Sequence, residues 1–230
     1  MRRVFYSIYS VFVWAYIALF FVLVPLFALP FSLILGKKRA FRLFFKFFIK
    51  LGLFIFGCSA RVTGMENIPK GRNVIILSNH IGFFDPFFLN AVLPGWYNFV
   101  VFAKVVFNPY TMFTIRNAGF VVRPSGHYLV GSSALLKIEE CVKKGESFIL
   151  FPSETVIYDG SIGKIKQALY RIIQDTDAVI LPVYLKDIIR QVFYQHPFRA
   201  KVVIGRPLSK TDILSGRDEF IRKAIQSLSS

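Results

Sequence analysis

Of the three histidines among 230 residues, one has a carboxylate at a useful spacing. In "LSNHIGFFDPFFL", residues 77–89, His80 is followed five positions later by Asp85, with Phe83, Phe84, Phe87 and Phe88 around them. A carboxylate that keeps one imidazole nitrogen as N–H leaves the other free to accept a proton, which makes histidine a general base. Pro86 suits the first turn of a helix, where a missing N–H costs nothing. Asp85 then stands at or beside the N-cap, a position that favours a carboxylate in its own right. Local spacing therefore leaves two accounts of Asp85, a helix cap and an orienter of His80. Taken alone, His80 also reads as a satisfied core residue. His127, at an expected helix start, and His196, in "YQHPFR", read as surface or structural residues.

The elements that must position this pair begin after Gly57. Strand-like runs occur at "ARVTG", "NVIILSN", "YNFVVFAK", "GFVVR", "SFILFP", "AVILPVYL" and "AKVVIG". Helical patterns lie between several of them, at Pro86–Val92, Val105–Arg116, His127–Lys144 and Lys164–Gln174, with a last one at Arg217–Leu228. Alternation of this kind predicts an α/β fold, a largely parallel central sheet flanked by helices. The join of "NVIILSN" to "HIGFFDP" puts His80 just past the carboxyl end of a strand, where open α/β sheets bind ligands.

The N-terminal part has a different character. No charged residue occurs from Val4 to Gly36, a run longer than the roughly 20 residues that cross a bilayer. No small-residue cleavage site closes it, so removal as a signal peptide is not expected. Basic residues flank it on both sides, which disfavours a single crossing, and two crossings need about 40 apolar residues. A helical hairpin dipping into one leaflet, turning near Pro25 and Pro30, fits best; a single tilted spanning helix is the alternative. In the following "GKKRAFRLFFKFFIKLGLFIFG", Arg42, Lys46 and Lys50 recur every fourth residue among Phe and Leu, the layout of an interfacial helix among anionic headgroups. The expected organisation is therefore a membrane hairpin plus a basic amphipathic helix over residues 1–56 and a catalytic domain over 57–230.

The net charge is +16, and the first 60 residues carry eight basic residues and no acid, so each part contributes +8. No nucleic-acid motif accompanies this charge, and the aromatics sit in apolar runs. An anionic membrane lipid and a phosphate- or CoA-bearing substrate explain it more economically than nucleic acid. Cys58 and Cys141 are too few and scattered for a metal site or a disulfide framework, and read as apolar fillers in a reducing compartment. There is no Gly-x-Ser-x-Gly elbow, P-loop or dinucleotide glycine signature.

The string "NHIGFFD" resembles the Asn-His, four residues, Asp motif of the glycerolipid acyltransferases, which include the 1-acylglycerol-3-phosphate acyltransferases. Further segments match in order: "FAKVVFNPY" after the first motif, "AGFVVR" as the second, "FPSETVIYDG" as the third, "AVILPVYL" as the fourth, and "VVIGRPL" as the closing strand. The resemblance covers roughly residues 57–210. It implies transfer of a fatty acyl group from acyl-CoA or acyl-carrier protein to a lysophospholipid hydroxyl, at the cytoplasmic face of the cell membrane, without metal or further cofactor. His80 is then the base and Asp85 its orienter. Arg123, matching the second motif's arginine, would bind the acceptor phosphate, with Lys104 a weaker candidate for the same pocket. Ser153, Glu154 and Thr155 would line the acceptor site. Here the sequence departs from the family: Ser153 and Glu154 stand where Glu and Gly are usual, and Val156 where many members have Arg. Lys164 and Lys166 follow and are candidates to replace the missing positive charge, although such lysines are more often solvated. The departure leaves other lyso-lipid acceptors, such as an aminolipid or glycolipid, and a catalytically silent lipid-binding protein as alternatives.

Overall fold

Val74–Ser78 (β2) is buried at every position, the pattern of a strand covered on both faces. In the computed structural model, which describes residues 2–103, 108–123, 129–153, 155–188 and 196–229, this strand lies inside a six-stranded sheet. The other members are Ser59–Thr63 (β1), Tyr97–Asn98 (β3), Ser147–Leu150 (β6), Val179–Lys186 (β7) and Arg199–Ile204 (β8), in the order β1-β8-β7-β2-β6-β3. All neighbours run parallel except β7 and β8. The expected largely parallel sheet flanked by helices is what the chain forms.

One expected strand is divided. Residues 97–103 split at Phe99 into β3 and Val100–Phe102 (β4), which pairs with Val121–Arg123 (β5) in a separate parallel ribbon. Phe99 is buried among Phe87 and Phe120, with ring centroids 5.0 and 4.1 Å away. Burying that side chain turns the backbone out of the main sheet. The helices are Asp85–Val92 (α3), Pro109–Ala118 (α4), Leu129–Lys143 (α5), Gln167–Gln174 (α6) and Lys210–Gln226 (α7). The last begins before Arg217, because Ser209 accepts from the Asp212 N–H as an N-cap. Arg217 itself, at φ 41° and ψ −128°, marks a kink between two helical segments.

At the N-terminus, Arg2–Leu35 (α1) and Lys37–Ile55 (α2) form an antiparallel pair. The turn expected near Pro25 and Pro30 is absent, since α1 runs through both. The chain reverses instead at Gly36, at φ 78°, a conformation proline cannot adopt. One described helix, over Val4–Leu35, is long and apolar enough to cross a membrane, with Val4, Phe5, Val11, Phe12, Leu33 and Ile34 among its exposed residues.

The basic stripe of α2 also departs from expectation. Rather than facing headgroups throughout, Arg42 donates to Ala118 O at 3.1 Å and Lys46 to Leu93 O and Gly95 O at 2.6 and 2.7 Å. The Ala118 and Leu93 carbonyls end α4 and α3, where helices leave acceptors unsatisfied and favour a positive charge, and Gly95 lies in the loop after α3. Lys38 and Arg42 also pair with Glu146, which Asn98 bonds in turn. Lys50 stays exposed, as do Leu43 and Phe47. Phe20, Val24, Phe41 and Phe45 of the hairpin share one core with Ile76, Leu89 and Phe120, so the hairpin packs as part of the body.

Candidate active site

The site begins where β2 ends. Asn79 is buried; its Nδ2 donates to Leu185 O at 2.8 Å, and the Leu185 N–H donates to its Oδ1 at 2.7 Å. The side chain thus continues the ladder to β7 one step past the strand and frees the backbone to turn. At the next residue the backbone is held from the opposite side, by the Ile157 N–H donating to His80 O at 2.7 Å.

His80 Nδ1 lies 2.8 Å from Asp85 Oδ2. The same oxygen accepts from the N–H groups of Ile81 at 2.7 Å and Gly82 at 2.9 Å. Asp85 is wholly buried, and the His80 side chain is 15% exposed. Asp85 is the first residue of α3, whose N-cap is Phe84 with no side-chain capping bond. Geometry thus decides between the two accounts of Asp85: its carboxylate turns back to His80 and the preceding turn. Oδ2, the acceptor for two backbone N–H groups, accepts from Nδ1 as well, so in the neutral imidazole Nδ1 carries the proton and Nε2 is the acceptor nitrogen. The ring is further fixed by Phe151, stacked on it at 4.0 Å between centroids and 16° between planes.

His80 opens on a cavity of about 1460 Å³. One side is formed by the hairpin, through residues such as Tyr9, Trp14 and Phe56; the remainder comes from Val100, Ile138 and the segment after β6. The lining is mainly apolar. Among the described residues its charged or titratable nitrogen groups are His80, Arg123, Lys164 and Lys166, and no carboxylate joins them. Such a cavity suits a ligand with a long apolar chain and an anionic head.

Arg123 ends β5 on the cavity wall, its guanidinium carbon 5.4 Å from the centre of the Phe102 ring. Ser153 and Thr155 bond each other across a turn, Ser153 Oγ to Thr155 O and Thr155 Oγ1 to Ser153 O, each at 3.4 Å. Neither lines the cavity; on that segment Val156, Lys164 and Lys166 do. Lys104 and Glu154 lie outside the described residues. Lys164, expected at a helix start, precedes α6 in irregular chain, because the Lys166 N–H is tied to Pro152 O at 3.0 Å. Sequence reasoning missed the brace from Asn79, the Phe151 stack and the Ile157 N–H. Only Asn79 carried a signal, its place beside His80 at a strand end.

A family model described as Acyltransferase matches residues 59–186. A 1-acyl-sn-glycerol-3-phosphate acyltransferase of Borreliella burgdorferi is 31% identical over 141 residues, covering 60% of this chain and 55% of that protein. A chloroplastic enzyme of the same name from Brassica napus is 26% identical over 210 residues, covering 86% of this chain and 60% of that one. The chain therefore spans a little over half the length of these curated relatives. The crystal structure of the 1-acyl-sn-glycerophosphate acyltransferase PlsC from Thermotoga maritima superposes over 100% of both chains, with a TM-score of 0.78 at 22% identity, a likeness of fold. The family model spans more than half of the sequence and contains both His80 and Asp85, and the chain belongs to the acyltransferase family.

Proposed function

We propose that this chain is a membrane-bound O-acyltransferase that moves a fatty acyl group from a thioester, acyl-CoA or acyl-carrier protein, to the free hydroxyl of 1-acylglycerol-3-phosphate. The observation that carries this reading is the His80–Asp85 pair at 2.8 Å on the wall of an apolar cavity whose charged groups, among the described residues, are basic. His80 Nε2 accepts the hydroxyl proton as the hydroxyl oxygen attacks the thioester carbonyl. The tetrahedral intermediate collapses, the carbon–sulfur bond breaks, and the departing thiolate takes the proton from the imidazolium. Asp85 holds the ring and stabilises its cationic form. Positioned general-base help of this kind is worth roughly a hundred- to ten-thousand-fold. The acceptor is its own nucleophile, so no acyl-enzyme is required.

The exposed apolar face of α1, with Leu43 and Phe47 of α2 between Arg39 and Lys50, supports residence at an anionic cytoplasmic membrane surface from which the acceptor enters. Arg123 and Lys164 are the groups on the cavity wall suited to the acceptor phosphate. The test uses protein purified in detergent, both thioester donors and a panel of lyso-lipids that includes aminolipid and glycolipid acceptors. Thiol release is followed. Acylation of 1-acylglycerol-3-phosphate that His80→Ala abolishes supports the proposal. Turnover unaffected by that substitution refutes the mechanism, and preference for an uncharged acceptor refutes the assigned substrate.

A further inference from the structure

The segment from Thr155 to Lys166 has no helix or strand, yet it braces His80 and forms part of the cavity wall. Its anchor comes from the far end of the chain. Arg222, on α7, donates through one terminal nitrogen to Ile162 O and through the other to Gly163 O, the latter at 2.6 Å. A planar guanidinium fork suits two adjacent carbonyls, which a single ammonium does not span. The cation is itself held. Asp218, one helical turn earlier, lies 3.9 Å from Arg222, and the Tyr170 hydroxyl of α6 donates to Asp218. The kink at Arg217 starts the helical segment that presents Asp218 and Arg222 together.

From the two clamped carbonyls the chain leads to the site in both directions. Gly163 lies against the outgoing limb so closely that a Cβ there would stand 2.9 Å from Ile157 Cδ1 and 3.3 Å from Ser153 Cβ. Ile157 is the residue whose N–H holds His80 O. On the other side Gly163 is followed directly by Lys164, which shares the cavity with His80 and Arg123. The Lys164 side chain is exposed and flexible, so only a fixed backbone keeps its ammonium at the wall.

We infer that Arg222 is a positioning residue for ligand recognition: by fixing the Ile162 and Gly163 carbonyls it roots Lys164 on the cavity wall, where the ammonium meets the anionic head of the acceptor. The identity of that anion rests on the proposed function. Arg222 touches no substrate, and its effect reaches the ligand through Lys164.

The test combines amide hydrogen exchange on the full chain in detergent with acceptor kinetics, for Arg222→Gln, Arg222→Lys, Lys164→Ala and the double variant. In Arg222→Gln, exchange between residues 161 and 166 accelerates while the Ile157 N–H that holds His80, β2 and β7 keep their protection. The acceptor KM rises about tenfold, as expected for loss of a charge-assisted bond, and kcat stays within about threefold of wild type. Arg222→Lys falls between wild type and Arg222→Gln. Lys164→Ala raises the same KM, and adding Arg222→Gln to it brings little further change, because both remove one interaction. Unchanged exchange in this segment overturns the clamp. Effects on KM that multiply in the double variant, or a fall in kcat alone, overturn its action through Lys164. A wild-type chain that acylates no acceptor refutes the proposed function, and the exchange measurement still decides the role of Arg222.

Discussion

Replacing Asp85 with Asn removes one charge while keeping size and shape, and the structure fixes what should follow. Oδ2 accepts three bonds, from His80 Nδ1 at 2.8 Å and from the Ile81 and Gly82 N–H groups at 2.7 and 2.9 Å. An amide oxygen in that position retains all three but carries no full charge for the imidazolium. At 2.8 Å and an effective dielectric of about 20, the lost attraction is about 6 kcal/mol. The amide dipole retains part of it, leaving a loss of about 3–5 kcal/mol, or roughly a hundred- to several-thousand-fold in kcat. The amide NH2 then occupies the place of Oδ1, which is buried and has no hydrogen-bond partner among the described residues. An unsatisfied buried donor costs about 1–3 kcal/mol of stability. Both numbers are accessible on one preparation: turnover by thiol release, and the unfolding midpoint in denaturant at constant slope. Acceptor KM should stay near wild type, because Asp85 is wholly buried behind His80 and off the cavity wall. An Asp85→Asn protein with kcat within threefold of wild type would refute the dyad and return Asp85 to a structural role in the turn.

Two further outcomes follow from the same structure. Asn79→Ala leaves the buried Leu185 N–H and C=O without their side-chain partner, and unfolding should occur at lower denaturant by about 2–4 kcal/mol, with activity falling because His80 loses its brace. Burial raises the Glu146 carboxyl, but hydrogen bonds from Lys38, Asn98 and Arg42 outweigh it and hold the group below its ordinary 4.5. Its contribution to stability is therefore complete above that value and disappears as pH falls through the lower folded one. Glu146→Gln should loosen the hairpin at neutral pH, read as faster proteolysis within residues 1–56, and the difference from wild type should shrink in strong acid. A difference that persists unchanged at low pH would show that the cluster holds the hairpin by shape alone.

How much was legible beforehand depends on how local each cause is. The fully apolar "VIIL" of β2, the alternation of strands and helices, and the long uncharged N-terminal run all act through neighbours in sequence and are all present, although one expected strand divides at Phe99 and the last helix starts before Arg217. Gly36 is as visible in the sequence as Pro25 and Pro30, but the reversal needs a positive φ, which glycine provides and proline cannot. The basic stripe of α2 misled for a different reason. A lysine or arginine pattern is the same whether it meets lipid phosphate or the carbonyl end of a helix, and Ala118 O and Leu93 O are more than 40 residues away.

The acceptor side was the least legible part. The third motif showed which residue types had changed, but not that Ser153 and Thr155 bond each other away from the cavity while Lys164 lines it. The sequence by itself determined the five-residue spacing of His80 and Asp85, the α/β class and the apolar, basic N-terminus, because spacing, periodicity and composition are local properties. Only the tertiary structure decided that Asp85 turns toward His80 rather than capping α3, that the hairpin forms one side of the cavity, and that Arg222 holds the segment carrying Lys164. These are contacts between elements distant in the chain, fixed by packing and hydrogen-bond satisfaction across the whole fold.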